Sequence, residues 1–306
     1  WDWRDAAVRQ VGRLMAPRVV GLAAYHMNFI IATFFASMAG TGAISALNYA
    51  WLVIMTPLGL FGMAISTALF PRMAEQAADS EEELQHTIAR ALRVILFLTI
   101  PASAGLMVLA APVTAFLLRS GAFDASSNNL VVGALVFYAV GLFAHSGVEI
   151  LSRGFYALSD TRTPVQYAVL SMAVNLVLSL ALVRPLGVNG LAIALSAAAI
   201  VEFVLLARAL GGRLAGIDIS GIVNSLARTG LATILMAEIV ALWLAALALG
   251  GVYDLANKGE AAVAAVGGVA VGAAAFWLAA RLLGIEEADV IAERLPLPAA
   301  LRRFLV

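Results

Sequence analysis

The sequence predicts an all-α fold, a polytopic membrane bundle of eight transmembrane helices. Three observations carry that expectation. The 306 residues are 62% apolar and only 12% charged, with a mean hydropathy of +0.96. An ordinary soluble domain is about 25% charged, and it needs that polarity to cover its surface. The apolar residues gather into eight stretches of about 20 residues, the length that crosses a hydrocarbon core of about 30 Å. The basic residues gather on alternate connections between those stretches. These numbers exclude a soluble enzyme and a disordered chain. The formal net charge of +0 predicts no nucleic-acid partner.

The eight stretches are 19–38, 44–70, 88–111, 129–152, 165–184, 188–210, 226–250 and 260–283. Pro57 and Pro101 fall inside the second and third, where a missing backbone donor predicts a kink in each. Residues 1–17 space Asp5, Arg9 and Arg13 four apart beside Val8, Val11 and Met15, the pattern of an interfacial lead-in helix. Ser80-Glu81-Glu82-Glu83 reads as a capping box that starts a helix running into the third span. The tail after Glu286 is acidic, then proline-containing, then basic, and is expected to form a peripheral helix.

Orientation follows from the positive-inside rule. One set of connections holds Arg4, Arg9, Arg13, Arg18, Arg72, Arg90, Arg93, Arg153, Arg162, Arg208, Arg213, Arg228, Arg281, Arg294, Arg302 and Arg303. The opposite set holds Arg119, Arg184 and Lys258. Eight spans with both termini cytoplasmic accommodate all nineteen. The first residue is Trp1, and no signal-peptide pattern precedes the spans, so the chain reads as the later part of a longer protein.

The sequence lacks cysteine, and His26, His86 and His145 are far apart, so no disulfide, thiolate or histidine metal site is expected. Gly-x-Gly-x-x-Gly and the Walker loop are both missing, and no cofactor is expected. Ionisable groups within a span are costly and mark paths or partners. His145, Glu149 and Arg153 recur every fourth residue, with Tyr156 one turn on. They form either a stripe lining a substrate path or a local Glu149–Arg153 pair at the membrane edge. Arg18, Tyr25 and Asn28 share a face of the first span. Ser171, Asn175 and Ser179 form a second stripe that can line a cavity, coordinate a cation or join helices by hydrogen bonds. Glu202 and Glu238 are single acids without a partner at helical spacing, and Gly268 and Gly272 form a small-xxx-small packing pair.

Four segments carry a resemblance. They are Leu47-Asn48-Tyr49-Ala50 leading to Pro57-Leu58-Gly59-Leu60-Phe61-Gly62-Met63-Ala64-Ile65; Ala68-Leu69-Phe70-Pro71; Arg119-Ser120-Gly121-Ala122-Phe123-Asp124; and Arg153-Gly154-Phe155-Tyr156-Ala157-Leu158-Ser159-Asp160-Thr161-Arg162-Thr163-Pro164. The chain resembles the MurJ (MviN) family of lipid II flippases, in the multidrug/oligosaccharidyl-lipid/polysaccharide exporter superfamily. The last segment is the most specific, with Phe155, Tyr156, Asp160, Thr161, Thr163 and Pro164 as its motif residues.

The resemblance implies the second six-helix lobe (19–210) of a two-lobed, fourteen-span transporter. A lead-in precedes it (1–18), two helices lining a lipid-tail groove follow (211–285), and a cytoplasmic tail ends the chain (286–306). It implies an undecaprenyl-linked lipid substrate, membrane lipids and a first lobe of the same protein as partners, and alternating access in the bacterial inner membrane. The substrate-path candidates are then Arg18, Tyr25, Asn28, Asn48, His145, Glu149, Arg153 and Tyr156. Asn175 and Ser179 are the candidate cation site, with coupling to a monovalent cation or to the membrane potential. One departure stands out: the family commonly places an arginine after Tyr-Ala-x in its eighth span, whereas Tyr49-Ala50-Trp51 is followed by Leu52. The expected function is a lipid II flippase and not an enzyme. The rivals are an exporter of another polyprenyl-linked glycan, a drug/cation antiporter and a non-transporting scaffold.

Overall fold

The computed structural model describes residues 26–119, 124–214 and 219–294, together with Val19 and Ala23. The regular elements among them are all helical: α1 His26–Met38, α2 Ala43–Pro57, a π-helical segment Leu58–Met63, α3 Ala64–Asp79, α4 Glu81–Val108, α5 Ala110–Leu118, α6 Ala125–Ala157, α7 Arg162–Arg213, α8 Ile219–Leu249, α9 Lys258–Leu282 and α10 Glu286–Arg294. Six helical units among the described residues are long and apolar enough to cross a membrane. Their outer faces carry large apolar side chains, among them Leu180, Leu242 and Leu249, far beyond what a water-facing surface tolerates. The chain is a multi-pass membrane protein.

The 52 residues of α7 would run about 78 Å if straight, more than twice a hydrocarbon core. They fold back at Gly187 instead, whose φ of 55° and ψ of −129° lie outside the helical region. Pro185 contributes by removing a backbone donor just before the turn. The arms 162–186 and 188–213 therefore supply two crossings. With α1 as the described part of the first span, the layout roughly matches the eight expected spans. Gly190 lets the arms close, since a Cβ there would stand 2.4 Å from the Leu182 carbonyl oxygen. Lower down, the Ser171 hydroxyl donates to the Ala198 carbonyl at 3.0 Å. The second arm runs parallel to α6, with Gly141 against Ser196 and Gly147 against the Phe203 ring.

The two expected proline kinks have different outcomes. After Pro57 the backbone widens into the π-helical segment, and Gly62 there lies against the backbone of Ser146 on α6. Around Pro101, by contrast, α4 continues without interruption. The break comes at Leu109, with φ −92° and ψ 8°, three residues before Pro112. The Pro112 ring lacks a donor and crowds the carbonyl four residues back, which is Val108, the last residue of α4. The third expected span is thus α4 plus the short α5.

The capping box forms as expected, the Ser80 hydroxyl accepting from the Glu83 N–H at 3.3 Å. Asp124 caps α6 by accepting from the Ser127 N–H at 2.8 Å, and that bond with those from the Ser126 and Ser127 hydroxyls holds its carboxyl down at about 2. The α8–α9 pair packs on α4 and α5, Phe97 meeting Phe276 at 5.0 Å. Gly268 seats against Leu109 and Gly272 against Val240, which makes the small-residue pair a packing device. Buried Glu287 of α10 pairs with Arg93 at 3.6 Å, and Arg228 donates to the Gly284 carbonyl at 3.1 Å. Arg119, from the sparse set of basic residues, donates to the Leu255 carbonyl in the connection leading to Lys258. The lead-in helix expected over 1–17, and the tail beyond 294, lie outside the described residues.

Candidate functional site

A cavity of about 530 Å³ opens between α1, α2, the π-helical segment, α6 and both arms of α7. Each element brings a polar group to it for a local reason. Asn28 comes from α1, and Asn48 from α2 with Trp51 one turn on. α6 brings His145 and Glu149 at helical spacing. The fold-back at Gly187 brings in Ser171 from one arm and Glu202 from the other. These two residues are nearly equidistant from Gly187, so an antiparallel hairpin must set them side by side.

Among the described lining residues the carboxylates are Glu149 and Glu202, and neither Arg nor Lys lines the wall. Arg153 sits one turn beyond Glu149. Its guanidinium binds the Glu149 carboxylate at 2.5 Å and the Glu149 carbonyl at 3.0 Å, and reaches across to the Thr67 hydroxyl of α3 at 2.9 Å. Glu149 therefore both lines the cavity and makes the local pair. Glu202 has no basic partner in this lining and lies near Ser171 and within electrostatic reach of Glu149. The Trp51 ring stands edge-on to Tyr138 and to His145, 5.4 Å from each. The Nε2 atom of His145 is buried with no hydrogen-bond partner.

The second stripe closes on itself. The Asn175 amide donates to the Asn28 carbonyl oxygen at 2.8 Å, and the Ser179 hydroxyl donates to the Asn175 carbonyl oxygen at 3.2 Å. Asn175 and Ser179 are buried. The oxygens a cation would need are thus neutral, and the amide oxygens of Asn28 and Asn175 already accept hydrogen bonds. No group of three or more His, Cys, Asp or Glu among the described residues could hold a metal ion. The triad fits a clasp between α1 and α7 better than a cation seat.

The motif loop builds a corner rather than a wall of the cavity. Ser159 takes a positive φ of 59° as α6 ends. Asp160 then accepts from the Arg162 and Thr163 N–H groups at 3.0 and 3.1 Å and from the Thr163 hydroxyl at 2.6 Å. Arg213, at the far end of α7, binds the Asp160 carboxylate at 2.9 Å and lies over the buried Phe155 ring. Thr161 occupies the cap position without a side-chain bond, and Pro164 is buried in the first turn. Tyr156 is exposed and is not part of the cavity lining, although helical spacing put it on the stripe. Burial pushes the Asp160 carboxyl up, but the Thr163 and Arg162 hydrogen bonds and the Arg213 charge outweigh it, leaving it below the usual carboxylate range. A lowered carboxyl stabilises the fold above its unfolded pKa and loses that contribution as pH falls through its folded value. Asp160→Ala is therefore expected to cost about 1 kcal/mol, the worth of a helix cap. It should also flatten the acid side of a thermal-stability profile, read by melting the detergent-solubilised protein across pH.

Arg18 and Tyr25 lie outside the described residues. Leu52, at the place of the family arginine, is exposed and not part of the lining. Glu238 is exposed on α8, also away from the lining. Trp51, Tyr138 and His26 line the cavity without having been singled out for it. Trp51 carried a signal, one helical turn from Asn48; Tyr138 looked like any aromatic core residue.

The model of the family described as lipid II flippase MurJ matches residues 1–257. The chain belongs to the lipid II flippase MurJ family. A relative from Vibrio cholerae, named Probable lipid II flippase MurJ, is 36% identical over 211 residues, which is 69% of this chain and 40% of that protein. The chain spans about 40% of the length of the curated relatives it matches. A solved lipid II flippase MurJ in an inward closed conformation shares the fold, with a TM-score of 0.71 at 22% identity over 90% of this chain and 56% of that one. A multidrug resistance MATE transporter of the MOP superfamily, in an outward-facing conformation, follows at a TM-score of 0.57 and 18% identity, over 96% of this chain and 73% of that one.

Proposed function

We propose that this chain is the six-helix second lobe (19–210) and the groove helices (211–285) of a lipid II flippase. It would move the undecaprenyl-linked peptidoglycan precursor outward across the bacterial inner membrane, with its termini in the cytoplasm. The observation that carries this reading is a cavity inside the apolar helices of a MurJ-family chain, mostly apolar in its walls but carrying Asn28, Asn48, His145, Glu149, Ser171 and Glu202. Polar groups in hydrocarbon mark a path or a partner, and a lipid with a polar head supplies one. In this reading transport is translocation without covalent chemistry, so no residue is a catalyst and no cofactor is needed. A first lobe of the same protein supplies the facing half of the cavity, and Arg153, paired with the lining residue Glu149, brings a basic group beside the path from this side.

Alternating access requires two arrangements of the helices around one site. The π-helical segment after Pro57 is the proposed hinge, and the Arg153 bridge from Glu149 to Thr67 is the tie across it. The neutral Asn28–Asn175–Ser179 clasp favours coupling to the membrane potential over a cation at that place, each charge moved through 100 mV being worth about 2.3 kcal/mol. The acidic lining keeps an exporter of another polyprenyl-linked glycan or a drug/cation antiporter as the second reading. The complete gene carrying this chain is expected to restore growth to cells depleted of their own lipid II flippase. Growth failure despite membrane insertion would remove the lipid II assignment.

A further inference from the structure

We propose that the Glu202–His145–Trp51 corner of the cavity binds a primary ammonium group carried on the head of the translocated lipid. The inference deepens the proposed function and rests on it for the identity of the carrier alone. Three features of the corner point to this chemistry. The first is charge: Glu202 is a carboxylate on the cavity wall whose neighbours are Ser171 and a second acid, while Glu149 is already neutralised by Arg153. A buried acid without a basic partner in the described lining holds its own proton until a cation supplies the charge to displace it.

The second is hydrogen bonding. Gly141 against Ser196 and Gly147 against Phe203 fix the register of α6 on the second arm of α7, which sets Glu202 at the level of His145 and Glu149. The buried Nε2 of His145 lacks a partner and, with the ring proton on Nδ1, accepts one N–H. An ammonium carries three N–H donors, enough for Glu202 and His145 together. The third is the Trp51 indole, which lines the same cavity beside His145 and is an aromatic ring of the kind that attracts cations.

An inorganic monovalent ion fits less well, because it wants several oxygens at once. The amide oxygens of Asn28 and Asn175 already accept hydrogen bonds, and no metal-holding group occurs among the described residues. A phosphate fits worse still beside two carboxylates with neither Arg nor Lys in the described lining. This half of the cavity therefore takes the ammonium-bearing part of the head, and the phosphates fall elsewhere.

The test uses the full-length protein in detergent and three probes: Nα-acetyl-lysine amide, its Nε-acetylated form and sodium chloride. The ammonium probe is expected to raise Tm saturably, and the acetylated form and sodium to give no saturable shift. Glu202→Gln should weaken the probe by about tenfold or more, as loss of a charged hydrogen bond does. Trp51→Leu should weaken it in the same direction, and it serves as the readout if the glutamine variant does not fold. An equal shift from the acetylated probe or from sodium overturns the proposal, as does unchanged affinity in the variants. Ammonium binding together with failed growth rescue would retain this inference and remove the flippase reading; rescue without ammonium binding would do the reverse.

Discussion

Gly190→Val is expected to leave little folded protein in detergent, with a loss of about 3 kcal/mol or more. The reason is local and leaves no room for adjustment. A Cβ at this position would meet the Leu182 carbonyl oxygen at 2.4 Å and its carbon at 2.8 Å, both backbone atoms that no rotamer change can move. The arms of α7 would have to part at their tightest point, and Ser171 and Glu202 would part with them. Thermal melting and size-exclusion profiles of the variant check this. Gly211→Val is the control, because nothing lies within 4 Å of a Cβ there and the cost should be that of an ordinary helical substitution.

Arg153→Met should cost about 3 kcal/mol, the low end for breaking a buried pair from one side. The side chains of Arg153 and Glu149 are 20% and 30% exposed, so the pair is sheltered, and removing the cation strands a carboxylate on the cavity wall. Glu149→Gln should cost less, since Arg153 retains the Glu149 carbonyl and the Thr67 hydroxyl. The double variant should recover much of the loss. A cycle of melting temperatures over the four proteins reads the coupling, and growth rescue reads the function, which both variants that break the α6–α3 tie should lose.

The membrane bundle was legible because its signals are long and redundant. Runs of apolar residues of about 20 set the spans, and the helices fall where those runs do. The hairpin in α7 was legible too, as the gap between the expected spans 165–184 and 188–210. The location of the helix break was not, because Pro101 and Pro112 look alike in sequence; the backbone yields at Leu109, where the crowded carbonyl ends α4.

The candidate site divides in the same way. His145 and Glu149 were readable from one helix, because four-residue spacing puts them on one face. Glu202 was noticed as an acid but given no partner, because its neighbours come from across the hairpin and from α6. The motif from Phe155 to Pro164 carried the family resemblance, yet its hydrogen bonds hold a corner between α6 and α7. Sequence specificity marked a demanding backbone geometry there, while the cavity is lined by less distinctive residues.

The absence of cysteine allows a direct measurement of the central claim, that the cavity inside this bundle is a substrate path open to water. Single cysteines at Asn48, His145 and Glu202 probe the cavity, and one at Leu242, 67% exposed on the outer face of α8, probes the lipid. In intact membranes a membrane-impermeant thiol reagent is expected to label the three cavity positions and leave position 242 unlabelled, with added lipid II slowing the first three. Labelling at 242 alone, or cavity labelling indifferent to lipid II, would contradict the account.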